Sequence, residues 1–248
     1  QWPSPDASKP GGVLVKPYNK FNLKSGQWTD DCSMGLCVAD SLLMCDGYDG
    51  SFLRILFFHW WYNGLNNAFR LDKERQKALL GLGPGFSLSV GLGGNIAQSL
   101  RSLKAEHMGS SSPPSRFESP GEDAGNGSLM RLAPIPIFFS DRPTEAAQLA
   151  AESSLTTHPG QLAAEACRFM SRLIACAIRR PEDDTTTAAA FLDQQISEYL
   201  RELDTRGITD DARTTFRRLL QGEEDDSSTE RCWSWRNKNL GLVRTVIN

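Results

Sequence analysis

At 248 residues, the chain is long enough for one globular domain with a substantial core that needs no disulfide or metal staple. Its 27 basic and 30 acidic residues leave a net charge of −3, which excludes the basic field that holds nucleic acid by counterion release. No apolar run reaches the roughly 20 residues a bilayer span needs, because the nearest, residues 52–61, is interrupted by Arg54 and His59.

Six cysteines stand at 32, 37, 45, 167, 176 and 232, and none forms the Cys-x-x-Cys pair of a structural zinc site or a redox motif. Cys37, Cys45, Cys167 and Cys176 fall inside apolar helical patterns, where a free thiol behaves as a small hydrophobe. A reducing, intracellular setting is expected, cytoplasmic or within an organelle. The sequence opens on Gln1 without a methionine or a signal-like apolar segment, so the expectation is that the true N-terminus was removed or not included.

Residues 1–26 carry Pro3, Pro5, Pro10, Gly11, Gly12 and Pro17 in a polar setting, which predicts an irregular N-terminal arm. Residues 29–45 predict a helix with one stripe of Met34, Cys37, Ser41 and Met44 and a second of Leu36, Ala39 and Leu43. Two stripes imply burial on more than one side, and Asp46-Gly47 stops the helix. A second helix is predicted over 51–70, with Phe52, Ile55, Leu56 and His59 on one face; His59 there is a core or edge histidine with no assigned chemistry. Residues 81–94 hold six glycines, at 81, 83, 85, 91, 93 and 94, fit for sharp turns or close approach to a ligand, and a helix over 95–103 follows.

Residues 104–124 are too poor in apolar side chains to fold alone and read as a flexible loop. That loop leads into Gly125-Asn126-Gly127-Ser128-Leu129-Met130-Arg131-Leu132-Ala133-Pro134. Helices are predicted over 144–154, 161–180, 187–203 and 210–220, the second of these carrying Leu162, Ala166, Phe169, Met170, Leu173 and Ala177. With no alternating strand pattern in competition, the fold class is all-α, a single helical domain over 27–248.

The chemistry sits first in Gln27-Trp28-Thr29-Asp30-Asp31-Cys32. A hydroxyl and two carboxylates at a helix start gather three hard oxygen donors of the kind Mg²⁺ accepts. The same residues also suit a plain N-cap with acidic side chains against the helix dipole. Two look-alikes, Thr209-Asp210-Asp211 and Asp183-Asp184-Thr185, read as a helix cap and a polar loop. Residues 125–128 offer backbone N–H groups and small side chains that could cradle a pyrophosphate, or a turn feeding a buried helix. Thr157-His158 follows downstream.

In this order and spacing the three motifs resemble the ADP-ribosylglycohydrolase family, over residues from about Gly26 to about Arg180. The resemblance implies a compact multi-helix bundle and two Mg²⁺ ions, with Mn²⁺ as a substitute. It implies Thr29, Asp30 and Asp31 as metal ligands, with Asp30 and Asp31 catalytic. It places Gly93, Gly94, Gly125, Asn126, Gly127, Ser128, Met130 and His158 on the substrate, an ADP-ribosylated protein or small molecule. Thr29, Asp30 and Asp31 are then expected to face the same cleft as Asn126, Ser128 and His158.

The family also carries an N-terminal helix with a Gly-Asp-Ala-x-Gly-like turn and a metal-binding glutamate, unmatched in residues 1–26, and a C-terminal Gly-Asp-x-Asp-Thr motif that the 248 residues do not contain. The chain is therefore expected to be an interior piece of a longer protein or a divergent member. On ligand count alone, little turnover is expected from residues 1–248. The alternative function is a catalytically inactive relative, serving as a structural subunit of a larger assembly or as an ADP-ribose-binding module.

Overall fold

The computed structural model describes residues 21, 23–80, 87–103, 112–119 and 125–221. Most of the predicted arm, Gly81, Gly83, Gly85, most of the 104–124 loop and the chain after 221 lie outside the described residues. The described residues form helices α1 Asp30–Cys45, α2 Gly50–Asn63, α3 Lys73–Leu80, α4 Gly94–Arg101, α5 Pro134–Phe138, α6 Pro143–Leu155, α7 Gln161–Ile178, α8 Ala188–Leu203 and α9 Asp210–Gln221, and no strand. The all-α reading holds, and none of these helices is long and apolar enough to cross a membrane.

α1 buries one face, Met34, Cys37, Val38, Ser41 and Leu42, and not two. Leu36 and Leu43 are exposed, so the second stripe lies on the surface, and Met44, the last residue of the first stripe, is exposed too. α2 begins where the Asp49 side chain accepts from the Phe52 N–H, and it ends early, at Gly64 in the left-handed region. Its buried face is Leu53, Leu56, Phe57 and Trp60, turned from the predicted one, because Phe57 and Trp60 bring the largest apolar area to the core.

α6 and α7 form the closest pair in the domain. Ala146, Ala147, Ala150 and Ala151 face Ala163, Ala164, Cys167 and Ala175, and small side chains let the two backbones approach, with the Ser171 hydroxyl donating to the Ala146 carbonyl at 3.0 Å. The larger stripe of α7 turns the other way, where Phe169 joins Ile196, Tyr199 and Leu203 of α8 and Phe216 and Leu220 of α9 in a second core. The sequence pattern exposed this large stripe; the small-residue face, which carries most of α7's burial, gave no apolar signal. The main core joins α1, α2, α4, α5 and the inner side of α6 and α7.

Within the segment expected to be a flexible loop, residues 112–119 are held in place. The buried Arg54 guanidinium donates to the Pro114 and Arg116 carbonyls at 2.7 and 3.1 Å, and to Ser102 Oγ at 2.9 Å. Phe117 N–H donates to the Leu155 carbonyl at 2.8 Å, and Arg116 grips Glu152. One cation thus ties this strap to α2 and α4. Replacing it removes the donor to carbonyls that no other side chain among the described residues reaches, so Arg54→Leu is expected to cost about 2–4 kcal/mol in urea denaturation. An unchanged midpoint would show that Arg54 does not hold the strap.

Candidate functional site

Thr29 is the N-cap of α1, in an extended conformation, yet its hydroxyl makes no capping hydrogen bond. It lies by the Asp30 carboxyl and favours its charged form. The look-alike behaves differently: the Ala212 N–H donates to Thr209 Oγ1 at 3.3 Å and Asp210 pairs with Arg213. At the third acidic cluster, Asp184 is paired with Arg180. Among the described residues, no ion pair reaches Asp30 or Asp31.

Loss of hydration, then the neighbouring Asp31 charge, pushes the Asp30 carboxyl up to about 6, against the Thr29 bond and the helix N–H groups that favour its charge. Asp31 is raised by lost hydration too. Two adjacent carboxylates held without a compensating cation are unfavourable, and a divalent ion accepts this donor set of one hydroxyl and two carboxylates. The residues fit one side of such an ion. No group of three or more His, Cys, Asp or Glu side chains able to share a metal is present among the described residues. Of the other acids, Asp46 ends α1 at the end opposite Asp30, and Asp49 caps α2.

Asp30 packs onto the backbone of Gly91. A Cβ there would lie 2.0 Å from Asp30 Oδ1, and the residue has φ +94, so glycine is required twice over. Two residues on, Gly93 caps α4 and Gly94 then opens it, both exposed, with no atom within 4 Å of where a side chain would begin. Asn95 then reaches across, its Nδ2 3.1 Å from the Cβ position of Gly125. The start of α4 therefore bridges the acidic pair and the 125–131 segment.

That segment is a turn in which the Asn126 carbonyl accepts from the Leu129 and Met130 N–H groups, at 3.0 and 3.1 Å. Gly125 and Asn126 are exposed, while Gly127 and Ser128 are buried. The Ser128 hydroxyl faces inward, accepting from Ser154 Oγ at 2.8 Å and from Cys167 Sγ at 3.4 Å, so only its backbone can serve a ligand. Met130 packs on the main core. The Arg131 carbonyl lies 3.9 Å from the Cβ position of Gly35, one helical turn after Asp31 and on its face.

His158, 2% exposed, lies edge-on against the glycines of the turn. Cβ atoms at Gly127 and Gly125 would stand 3.0 and 3.4 Å from its Nε2. Burial first, and the Arg131 charge second, lower its pKa to about 3, so the ring is neutral at physiological pH. Its Nδ1 is 2.7 Å from Thr157 Oγ1, and that hydroxyl accepts from Arg131 Nη2 at 2.7 Å.

Asp30 thus lies against Gly91, the chain runs on from Gly91 to Asn95, Asn95 lies against Gly125, and Gly125 and Gly127 lie against the ring of His158. Gly91, Asn95, Arg131 and Thr157 had no assigned role in the sequence reading. Gly91 has the left-handed conformation that Gly93 and Gly94 lack, but conformation is not written in composition. A groove of about 650 Å³ at the end of α2, lined by His59, Asn63, Arg70 and Leu88 among others, includes none of these residues.

Two outcomes follow from the acidic pair. Gly91→Ala is expected to displace the Asp30 carboxylate and abolish any function that depends on it. Above pH 6 the Asp30 carboxylate is charged in folded and unfolded chains alike and the fold bears the full cost; below about 6 the folded form takes up a proton, and the cost is gone below 3.8. In chelator, Asp30→Asn is thus expected to raise Tm at pH 7 and leave it nearly unchanged at pH 4. A lower Tm at pH 7 would make Asp30 a stabilising cap.

Comparison with known proteins gives this geometry a context. The sequence model described as ADP-ribosylglycohydrolase matches residues 2–244, well beyond the stretch that carries the motifs. An ADP-ribosylarginine hydrolase Tri1 of Pseudomonas putida (strain GB-1) is 26% identical over 174 residues, 68% of this chain and 40% of that protein. Its namesake from Serratia proteamaculans (strain 568) is 25% identical over 158 residues, 62% of this chain and 36% of that protein. The chain thus spans about two fifths of the length of these relatives.

Proposed function

Because the chain belongs to the ADP-ribosylglycohydrolase family, we propose that it hydrolyses the glycosidic bond joining ADP-ribose to a modified protein or small molecule. In this reading Thr29, Asp30 and Asp31 hold Mg²⁺, for which Mn²⁺ can substitute. The observation that supports it most is the contrast between two identical tripeptides: Thr209-Asp210-Asp211 is capped and ion-paired, whereas Asp30 and Asp31 are desolvated with no cationic partner among the described residues. The names of the two relatives make arginine-linked ADP-ribose the acceptor to test first.

A bound divalent ion supplies Lewis acidity and lowers the pKa of a coordinated water. The rest falls to the chain's own groups. The Thr29 hydroxyl orients Asp30 against Gly91, and the exposed backbone of Gly93 and Gly94 leaves room for a ligand beside the acidic pair. Asp31, at the more open end of the pair, has a raised pKa and suits the role of general base toward the attacking water. Water adds at C1″ of the ribose, the bond to the acceptor breaks, and the acceptor leaves with a proton. Backbone N–H groups of Gly125, Asn126, Gly127 and Ser128 are assigned to the ADP-ribose, with the ring of His158 behind them and Met130 anchoring the turn to the core.

The test is release of ADP-ribose from arginine-modified protein, with Mg²⁺ and with chelator. Release is expected only with the ion, and Asp31→Asn is expected to lower it at least about a hundredfold, as loss of a general base does. Gly127→Ala, whose Cβ would meet the His158 ring at 2.8 Å, is expected to weaken ADP-ribose binding in calorimetry. Binding of ADP-ribose without release would favour a binding module, and release that ignores Asp31→Asn would remove the acidic pair from the reaction.

A further inference from the structure

The buried side of the 125–131 turn holds a hydrogen-bond chain that the reaction as described does not use. Arg131 is 1% exposed and always a donor. Its Nη2 reaches the Ser153 carbonyl at 3.1 Å, Thr156 Oγ1 at 3.1 Å and Thr157 Oγ1 at 2.7 Å. The Thr156 hydroxyl commits its own proton to the Ser153 carbonyl at 2.7 Å. The Thr157 hydroxyl, fully buried and occupied as an acceptor by Arg131, has its proton left to give, and the acceptor within reach is His158 Nδ1 at 2.7 Å.

We propose that Arg131 and Thr157 are positioning residues that hold His158 as the neutral imidazole protonated on Nε2, so that the ring edge lying against Gly125 and Gly127 is a hydrogen-bond donor for an oxygen of bound ADP-ribose. The hydrogen-bond accounting requires this sense. A proton on Nδ1 would face a fully buried hydroxyl whose own proton then had no acceptor among the described residues, at the cost of a buried unsatisfied donor. The Arg131 charge opposes a proton on that side of the ring as well, and it opposes a second proton on the ring. The two glycines show where the donor edge works, because any side chain at 125 or 127 would occupy the space in front of it. The ligand named here rests on the ADP-ribose reading given above, whereas the tautomer does not.

Arg131 lies too deep for its own variants to separate folding from positioning, so the test uses Thr157. Valine there is nearly the same shape without the hydroxyl, and serine restores the hydroxyl. The chain has 3 histidines, at 59, 107 and 158, so the ring ¹⁵N signals are few and His158→Asn identifies its own. In ¹⁵N–¹H ring correlation spectra at pH 7 the wild-type His158 is expected to carry its proton on Nε2, with Nδ1 at the shift of an accepting nitrogen. Thr157→Val is expected to move the Nδ1 signal and weaken ADP-ribose binding roughly tenfold, or about 1.4 kcal/mol; Thr157→Ser is expected to return both toward wild type.

A wild-type ring protonated on Nδ1, or on both nitrogens, overturns the proposal, and that spectrum decides even where Thr157→Val fails to fold. A folded Thr157→Val chain with wild-type affinity overturns it also. A wild-type chain that shows the Nε2–H ring yet does not bind ADP-ribose counts instead against the reading of the turn as an ADP-ribose site. The two failures are distinct because the ring spectrum needs no ligand.

Discussion

A buried guanidinium with no carboxylate beside it among the described residues is the constraint from which the site is built. Arg131 sits over the Phe57 ring of α2 at 4.4 Å, reaches Met34 of α1, and donates to the carbonyl and hydroxyls that end α6. Removing a cation from water is expensive, and burial lowers its pKa to about 10 while leaving it charged. The oxygens of Ser153, Thr156 and Thr157 offset that cost only if they converge on one point. The end of α6, the turn at 125–131 and the first half of α1 are therefore fixed relative to one another by a single group's need for partners.

The same need explains why the motif residues sort into two kinds. Gly125 and Asn126 are on the surface, where a ligand can reach their backbone, while Ser128, Arg131, Thr157 and His158 are inside. The inner residues hold the shape of the turn and the outer ones present it. Binding sites gain from such preorganisation, because the entropy of ordering a loop is met by folding and not by the ligand.

Much of the helical frame was legible in the sequence because α1, α4, α6, α7, α8 and α9 carry apolar stripes or capping residues at helical spacing. What periodicity could not show was where each stripe points. Leu36 and Leu43 have the spacing of a core stripe and lie on the surface, while α7 buries alanines and a serine that add little to any hydrophobic count. The short helix at Pro134 and the polar helix at Lys73 escaped because one is too brief for a period and the other has too few apolar residues. The docked strap at 112–119 escaped because its partners, Arg54, Glu152 and the Leu155 carbonyl, lie far along the chain, and composition is blind to a partner 60 residues away.

The site shows the same limit more sharply. Thr29-Asp30-Asp31 and Thr209-Asp210-Asp211 are the same three residues at the start of a helix, and local physics alone gives them the same role as cap and dipole complement. Tertiary structure separates them. At residue 209 an arginine one turn along takes the first carboxylate, and the threonine is free to cap. At residue 29 the backbone of Gly91 closes over Asp30, water is displaced, and the hydroxyl that would have capped the helix is drawn to the carboxylate. Trp28, bonded through its indole N–H to the Asn66 carbonyl, holds the chain in the approach that makes this possible. A carboxylate pair withdrawn from water beside its own cap is a poor way to start a helix and a good way to keep negative charge available, and it is this tertiary setting, not the tripeptide itself, that distinguishes residue 29 from residue 209.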